Sequence, residues 1–240
     1  MSQTDPQLPA IDAPSLKLLA MEARVFFEAA DFVLRGPGTR KLPRGDGHPV
    51  MVVPGFGAND RVTAPLRKAL EKLGYAAHGW DCGTNLGMRT KLKNALSLRL
   101  EQLHERYETP VSLIGWSLGG VFVREMARHQ SALVRRVITL GSPFNGNPDA
   151  NNMVTLFKIA NRGRAMKTDV EGFLKRKNPP PVPCTSIYTR SDGIVAWPCS
   201  IEEKTRFTES VEVAGSHMGL VFNREVLRVI AERLALPPGE

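Results

Sequence analysis

The run Gly115-Trp116-Ser117-Leu118-Gly119 has the form G-x-S-x-G. Glycines two places before and two places after a serine suit one chemistry. They allow a tight strand-to-helix turn that lifts a nucleophilic hydroxyl above a sheet edge, where side chains at either position would collide. Five residues alone carry little weight, but the setting adds to it. Val111 to Ile114 reads as an apolar strand and Leu118 to His129 as a helix. A serine hydroxyl also needs a base. The chain has five histidines. His48 precedes the first core strand, at the wrong end of a sheet. His78 lies inside a strand, and His104 and His129 lie on or at the ends of helices. His217 follows the last strand, in Gly215-Ser216-His217-Met218-Gly219. It is the candidate base.

The base needs an acid to fix its tautomer and stabilise its charged form. Asp192, in Arg190-Ser191-Asp192-Gly193, follows a strand and falls between Ser117 and His217. The order serine, acid, histidine is one that this type of turn accompanies. Asp-Gly is also an ordinary turn pair, and a lone loop histidine is ordinarily structural. The competing acids lie in a long insertion (Asp149, Asp169, Glu171) or near the last strand (Glu202, Glu203, Glu209, Glu212). Acyl transfer further needs donors for an oxyanion. The backbone N–H groups of Leu118 and of Phe56, in Pro54-Gly55-Phe56-Gly57, are the candidates. A dinucleotide reading of these glycines is weak, because Asp60 stands where a third glycine belongs. Trp116, Phe144, Trp197 and Met218, with Phe56, Trp80 and Leu220, suggest an apolar substrate pocket, against ordinary loop packing. Thr84 and Asn85 are candidates to line the same cleft.

The elements that must position these residues alternate. Val50 to Val53, Tyr75 to Trp80, Val111 to Gly115, Val134 to Leu140, Thr185 to Tyr188 and Val211 to Ala214 read as strands. Val62 to Leu73, Leu92 to Tyr107, Leu118 to His129 and Leu220 to Leu234 read as helices. Repeated strand–helix units predict an α/β fold: a mostly parallel sheet of about six strands with helices on both faces. Residues 142–183 interrupt the alternation with Asn145-Gly146-Asn147-Pro148, a short helical stretch near Met153 to Ala160, and Pro179-Pro180-Pro181. An excursion this long is often functional, here as a small cap over the site. Residues 1–45 hold a loose tail and a helix from Ser15 to Arg35, with Leu18, Met21, Val25, Ala29 and Phe32 as its stripe. That helix is expected to dock on the sheet; a peripheral membrane contact through residues 15–35 is the alternative. The main domain is expected over 46–240.

Composition narrows the class. With 240 residues the chain can bury a full core. Its net charge of +8 is spread along the sequence, apart from a denser stretch from Arg162 to Lys177, and reads as a basic surface rather than a nucleic-acid site. Cys82, Cys184 and Cys199 form no metal-like spacing and suggest reduced thiols in the cytoplasm, although Cys184 and Cys199 flank one loop. No leader pattern and no long apolar run is apparent.

Together these residues resemble the α/β-hydrolase superfamily, within it the small lipase and carboxylesterase branch. Val52 to Gly57 looks like the oxyanion strand and loop, Gly115 to Gly120 like the elbow, Ser191 to Val195 like the acid loop, and Ser216 to Leu220 like the histidine loop. That branch usually carries His-Gly where this chain has Pro54-Gly55. The resemblance covers roughly residues 48–235. It implies ester cleavage through an acyl-enzyme on Ser117, His217 and Asp192, with Phe56 and Leu118 as the oxyanion hole and with no metal or cofactor. An acyltransferase would use the same residues. A hydrolase-fold protein that binds without reacting, and a nucleic-acid binder, are the more distant alternatives.

Overall fold

A computed structural model describes residues 11–145 and 177–239. The expected cap helix near Met153 to Ala160, and most of the 142–183 insertion, lie outside them. Six strands form one sheet in the order β2-β1-β3-β4-β5-β6. They are β1 Pro49–Val53, β2 Ala76–Gly79, β3 Val111–Trp116, β4 Val134–Leu140, β5 Cys184–Tyr188 and β6 Thr208–Glu212. Every pairing is parallel. All strands therefore end on the same side.

Side-chain alternation assigns the two faces. Val50, Val52, Ile114, Trp116, Ile138 and Leu140 point to one core. Helix α3 (Asp60–Leu73) covers it with Leu66 and Leu70, and the last helix, α6 (Arg224–Leu234), with Val226 and Ile230. Met51, Val53, Leu113 and Val137 point to the other core, under α4 (Thr90–Tyr107) and α5 (Leu118–His129). A strand clothed on both faces needs no polar alternation, which is why β1, β3 and β4 read as apolar runs. The chain leaves β1 for the edge strand β2, then returns past β1 to lay down β3. The strand order reverses there, and the crevice at such a switch point is where open parallel sheets bind ligands.

Most boundaries fall within one or two residues of expectation, and two elements differ more. The last strand is Thr208–Glu212 rather than Val211 to Ala214. It is an edge strand, and only Thr208 within it is buried. Polar residues therefore hide its period, and Glu209 is engaged by Thr185 Oγ1 at 2.9 Å and by Arg233. The closing helix is also broken. Leu220–Phe222 form one tight turn, and Asn223 then caps α6 by accepting from Glu225 N at 2.8 Å and Val226 N at 3.2 Å.

The N-terminal segment is a chain of short pieces. Helix α1 (Leu16–Met21) is capped by Ser15, a tight turn spans Glu22–Arg24, and α2 (Val25–Leu34) follows. Of the predicted stripe only Phe32 is buried. Burying a phenylalanine contributes about 1.5–3 kcal/mol, enough to anchor a short helix. Phe26 and Phe27 are 76% and 80% exposed. No disulfide joins Cys184 to Cys199 or involves Cys82. Among the described residues no helix is long and apolar enough to cross a membrane.

Candidate active site

Ser117 sits where β3 becomes α5, with φ 54° and ψ −122°. A non-glycine residue held there costs roughly 1–3 kcal/mol, which the surroundings must supply. Its N–H donates to Leu140 O at 2.8 Å, and its carbonyl accepts from Gly120 N at 2.9 Å. The flanking glycines are explained by contact. A Cβ on Gly115 would lie 2.4 Å from Gly120 Cα, and one on Gly119 would lie 2.3 Å from Val53 O. The turn at Ser117 is thus pressed against the end of β1. Gly55, in the loop after β1, leaves no room either: a Cβ there would meet Ser117 Cβ at 3.1 Å.

His217 Nδ1 lies 2.7 Å from Asp192 Oδ2, and both side chains are 2% exposed. The other oxygen, Oδ1, accepts from Ile194 N at 2.8 Å and Val195 N at 2.7 Å. These three contacts fix the carboxylate. Trp116 Nε1 donates to His217 O at 3.1 Å, so the residue before Ser117 holds the histidine loop. Gly141, at the end of β4 with φ 55°, forms the floor of the pair. A Cβ there would lie 2.9 Å from His217 Nδ1 and 3.1 Å from Asp192 Oδ2. Since Ser117 N bonds the end of β4, Gly141 brings the pair beside the serine. No direct Ser117–His217 hydrogen bond is formed among these described residues. In an unliganded site that contact is often long and tightens with substrate.

Burial alone would push the His217 pKa down. The Asp192 charge and hydrogen bond, and then the Glu22 charge, outweigh it, and the pKa is raised above the ordinary histidine value.

The loop after β1 is braced by Asn85, which is fully buried. Its Nδ2 donates to Pro54 O at 2.8 Å, its backbone N–H donates to Ala58 O at 2.8 Å, and its carbonyl accepts from Gly57 N at 2.7 Å. Phe56 and Leu118 lie on the two segments that meet at Ser117, the loop after β1 and the start of α5. Asn85 is therefore a support for this loop. Asp60 serves as a tie, its carboxylate accepting from Trp80 N at 3.1 Å and Asp81 N at 3.0 Å.

Four of the suggested pocket residues part company. Trp116 and Phe144 are buried framework, with the Arg124 guanidinium 3.9 Å from the Phe144 ring centroid. Arg124 also pairs with buried Glu202 and donates to Lys177 O and Asn178 O at 3.3 Å each. It holds the chain that returns from the insertion. Trp197 is half-buried against Tyr188 and beneath Arg190, and Met218 is exposed. A depression of about 590 Å³ lies by Thr189, Arg190, Glu212 and Glu225, off the edge of the sheet rather than over Ser117. Among the described residues no cluster of His, Cys, Asp or Glu is placed to hold a metal ion.

A second serine–histidine–carboxylate chain exists at the opposite end of the strands. His48 Nε2 lies 2.9 Å from Ser112 Oγ, and its Nδ1 contacts Asp46. Ser112 is fully buried inside β3 and paired on both sides. No acyl group reaches it. Burial lowers the His48 pKa despite Asp46, with Arg135 and Arg136 adding to the fall. Ser112→Ala is therefore expected to leave the reactivity of Ser117 toward a serine-directed phosphonate unchanged. Stranding the His48 nitrogen should lower stability by about 1–3 kcal/mol, read from urea unfolding.

No family description matches the sequence, and no curated protein matches it. Solved structures do. Aspergillus fumigatus lipase B superposes with a TM-score of 0.61 at 15% identity, over 84% of this chain and 56% of that one. The chain thus spans little more than half the length of that lipase. A lipase from Bacillus licheniformis matches with a TM-score of 0.59 at 16% identity, over 82% of this chain and 95% of that one. A pyrethroid hydrolase matches with a TM-score of 0.58 at 16% identity, over 80% of this chain and 99% of that one. With the single parallel six-stranded sheet, these place the chain in the α/β-hydrolase fold.

Proposed function

We propose that the protein is a serine hydrolase of carboxylic esters that carry an apolar acyl or alcohol part. The observation that carries this is Ser117, strained on the turn after β3, beside a buried Asp192–His217 pair 2.7 Å apart. In this reading Ser117 Oγ attacks the ester carbonyl while His217 Nε2 takes its proton. The oxyanion faces the Phe56 and Leu118 N–H groups. His217 returns the proton to the leaving alcohol, and an acyl-enzyme remains. Water, deprotonated by His217, then releases the acid and regenerates Ser117. Asp192 keeps the proton on Nδ1 throughout. Structural neighbours described as lipases and as a pyrethroid hydrolase favour ester substrates.

The test is a chain-length series of p-nitrophenyl esters with the wild type and a serine-directed phosphonate. Turnover that the phosphonate abolishes, with labelling at Ser117, is expected. No turnover on any ester would sink the reading.

Exposed Phe26 and Phe27 on α2, in a chain of net charge +8, extend it to lipid esters held at an anionic bilayer. Co-sedimentation with phosphatidylglycerol vesicles is expected for the wild type and lost in Phe26→Ser/Phe27→Ser. Equal sedimentation of the two proteins would remove the membrane from the account.

A further inference from the structure

The turn between α1 and α2 carries a carboxylate that is nearly as buried as the core. Glu22 is 7% exposed. Its Oε1 accepts from Gly193 N at 2.8 Å and His217 N at 3.0 Å, and its Oε2 accepts from Met218 N at 2.9 Å. Gly193 follows Asp192, so one carboxylate joins the backbone of the acid loop to that of the histidine loop. Its neighbours grip the same loops. Arg24 Nη2 donates to Ser191 O at 3.1 Å, Ser191 Oγ at 2.8 Å and Gly215 O at 2.7 Å. Glu28 accepts from Ser216 N at 3.0 Å and from the Ser216 hydroxyl, whose oxygen accepts from Gly219 N at 2.9 Å.

The approach is close enough to dictate residue type in the loops. A Cβ on Gly193 would lie 2.3 Å from Leu18 O, and one on Gly219 would lie 1.7 Å from Glu28 Oε2. Taking a carboxylate out of water costs several kcal/mol unless it is fully hydrogen-bonded. Here three backbone donors meet that requirement, and all three come from the loops that carry Asp192 and His217.

We propose that Glu22, supported by Arg24 and Glu28, is a positioning residue. It sets His217 against Asp192 and Ser117, and its negative charge stabilises the imidazolium that forms when His217 takes the serine proton. This rests on the Ser117–His217–Asp192 reading above. The charged groups facing the His217 ring are Asp192, from the loop after β5, and Glu22, from the N-terminal segment. Arg24 and Glu28 face the flanking backbone. The gain is electrostatic as well as geometric, because a fixed charge in a water-poor site acts with little screening.

The experiment compares the full-length wild type with Glu22→Gln, Glu22→Asp, Glu28→Gln and, as a control on the exposed face of α4, Leu98→Ser. Steady-state kcat and KM are measured across pH on a soluble p-nitrophenyl ester. The His217 ring is titrated by NMR in the wild type and Glu22→Gln. Expected for Glu22→Gln is a fall in kcat of about 10²-fold at unchanged KM. The acid limb of the rate and the NMR midpoint of His217 should both move to lower pH, since a negative neighbour has been neutralised. Glu22→Asp should restore the limb but only part of kcat, and Leu98→Ser should match the wild type. A folded Glu22→Gln with unmoved kcat or an unmoved His217 midpoint overturns the proposal. A purely structural clamp would lower the melting temperature and leave the midpoint in place, which also overturns it. If Glu22→Gln does not fold, Glu28→Gln decides: kcat must fall at constant KM, and an unchanged kcat overturns the proposal. Failure of the wild type to turn over any ester would overturn the functional reading instead, while the NMR midpoint still decides Glu22.

Discussion

Ser117→Ala is expected to lower kcat on p-nitrophenyl esters by about 10⁶-fold and to leave the folded protein intact. The substitution removes one oxygen and keeps the Cβ, which is what packs near Gly55. Alanine pays much the same backbone strain at φ 54° as serine does, so the turn has no reason to relax. The Oγ carries no hydrogen bond to His217, so no buried partner is stranded. The melting temperature should therefore match the wild type. A residual rate of about 10³–10⁴ over water remains, because the oxyanion donors and the binding surface survive. A variant within about tenfold of wild-type kcat would place the attacking group elsewhere.

Asp192→Asn should cost about 10⁴-fold in kcat, and the structure says why. One carboxylate oxygen accepts from Ile194 N and Val195 N, so an asparagine must place its carbonyl oxygen there. Its NH₂ group then faces His217 Nδ1, where Oδ2 now stands at 2.7 Å. A donor at that position demands the other imidazole tautomer, with the proton on Nε2. That nitrogen can no longer accept the proton of Ser117. The variant also loses the charge that holds the His217 pKa up against burial. In the wild type the rate should rise with pH as His217 deprotonates, with a midpoint above that of an ordinary histidine. In Asp192→Asn the residual rate should keep its acid limb at lower pH. An Asn variant with wild-type kcat would show that Asp192 does not set the tautomer.

The strand–helix alternation was legible because apolar runs recur where both sheet faces are covered. The turn at Ser117 and the contact between Asp192 and His217 were legible because a tight strand-to-helix turn needs glycines at fixed offsets, and because both partners of the contact follow strand ends. The support was harder to read. Glu22 lies four residues after Leu18 and three before Val25, inside the apolar stripe of the N-terminal segment. A charge at that position was the available signal. It was missed because a single acid on a short helix ordinarily faces water. Gly141 gave less warning, since its role depends on where two distant loops close over β4. The register of β6 was obscured because an edge strand needs no apolar run. Glycines at fixed offsets separate Ser117 from Ser112 in sequence. Position separates them in space: Ser112 lies within β3, and Ser117 sits on the turn that follows it.

The bonds from His217 N and Met218 N to Glu22 span 195 and 196 positions of sequence, and the bond from Ser216 N to Glu28 spans 188. Contacts so remote impose a large loop-closure entropy and form late, after local helices and neighbouring strands have condensed. The sheet and its nucleophile turn can thus be in place while the acid–base pair is still unfixed. On a ribosome, residue 22 must wait for nearly two hundred further residues before it finds its partners. Reactive competence is then the final event of folding, and loosening of the N-terminal segment is the route by which it would first be lost.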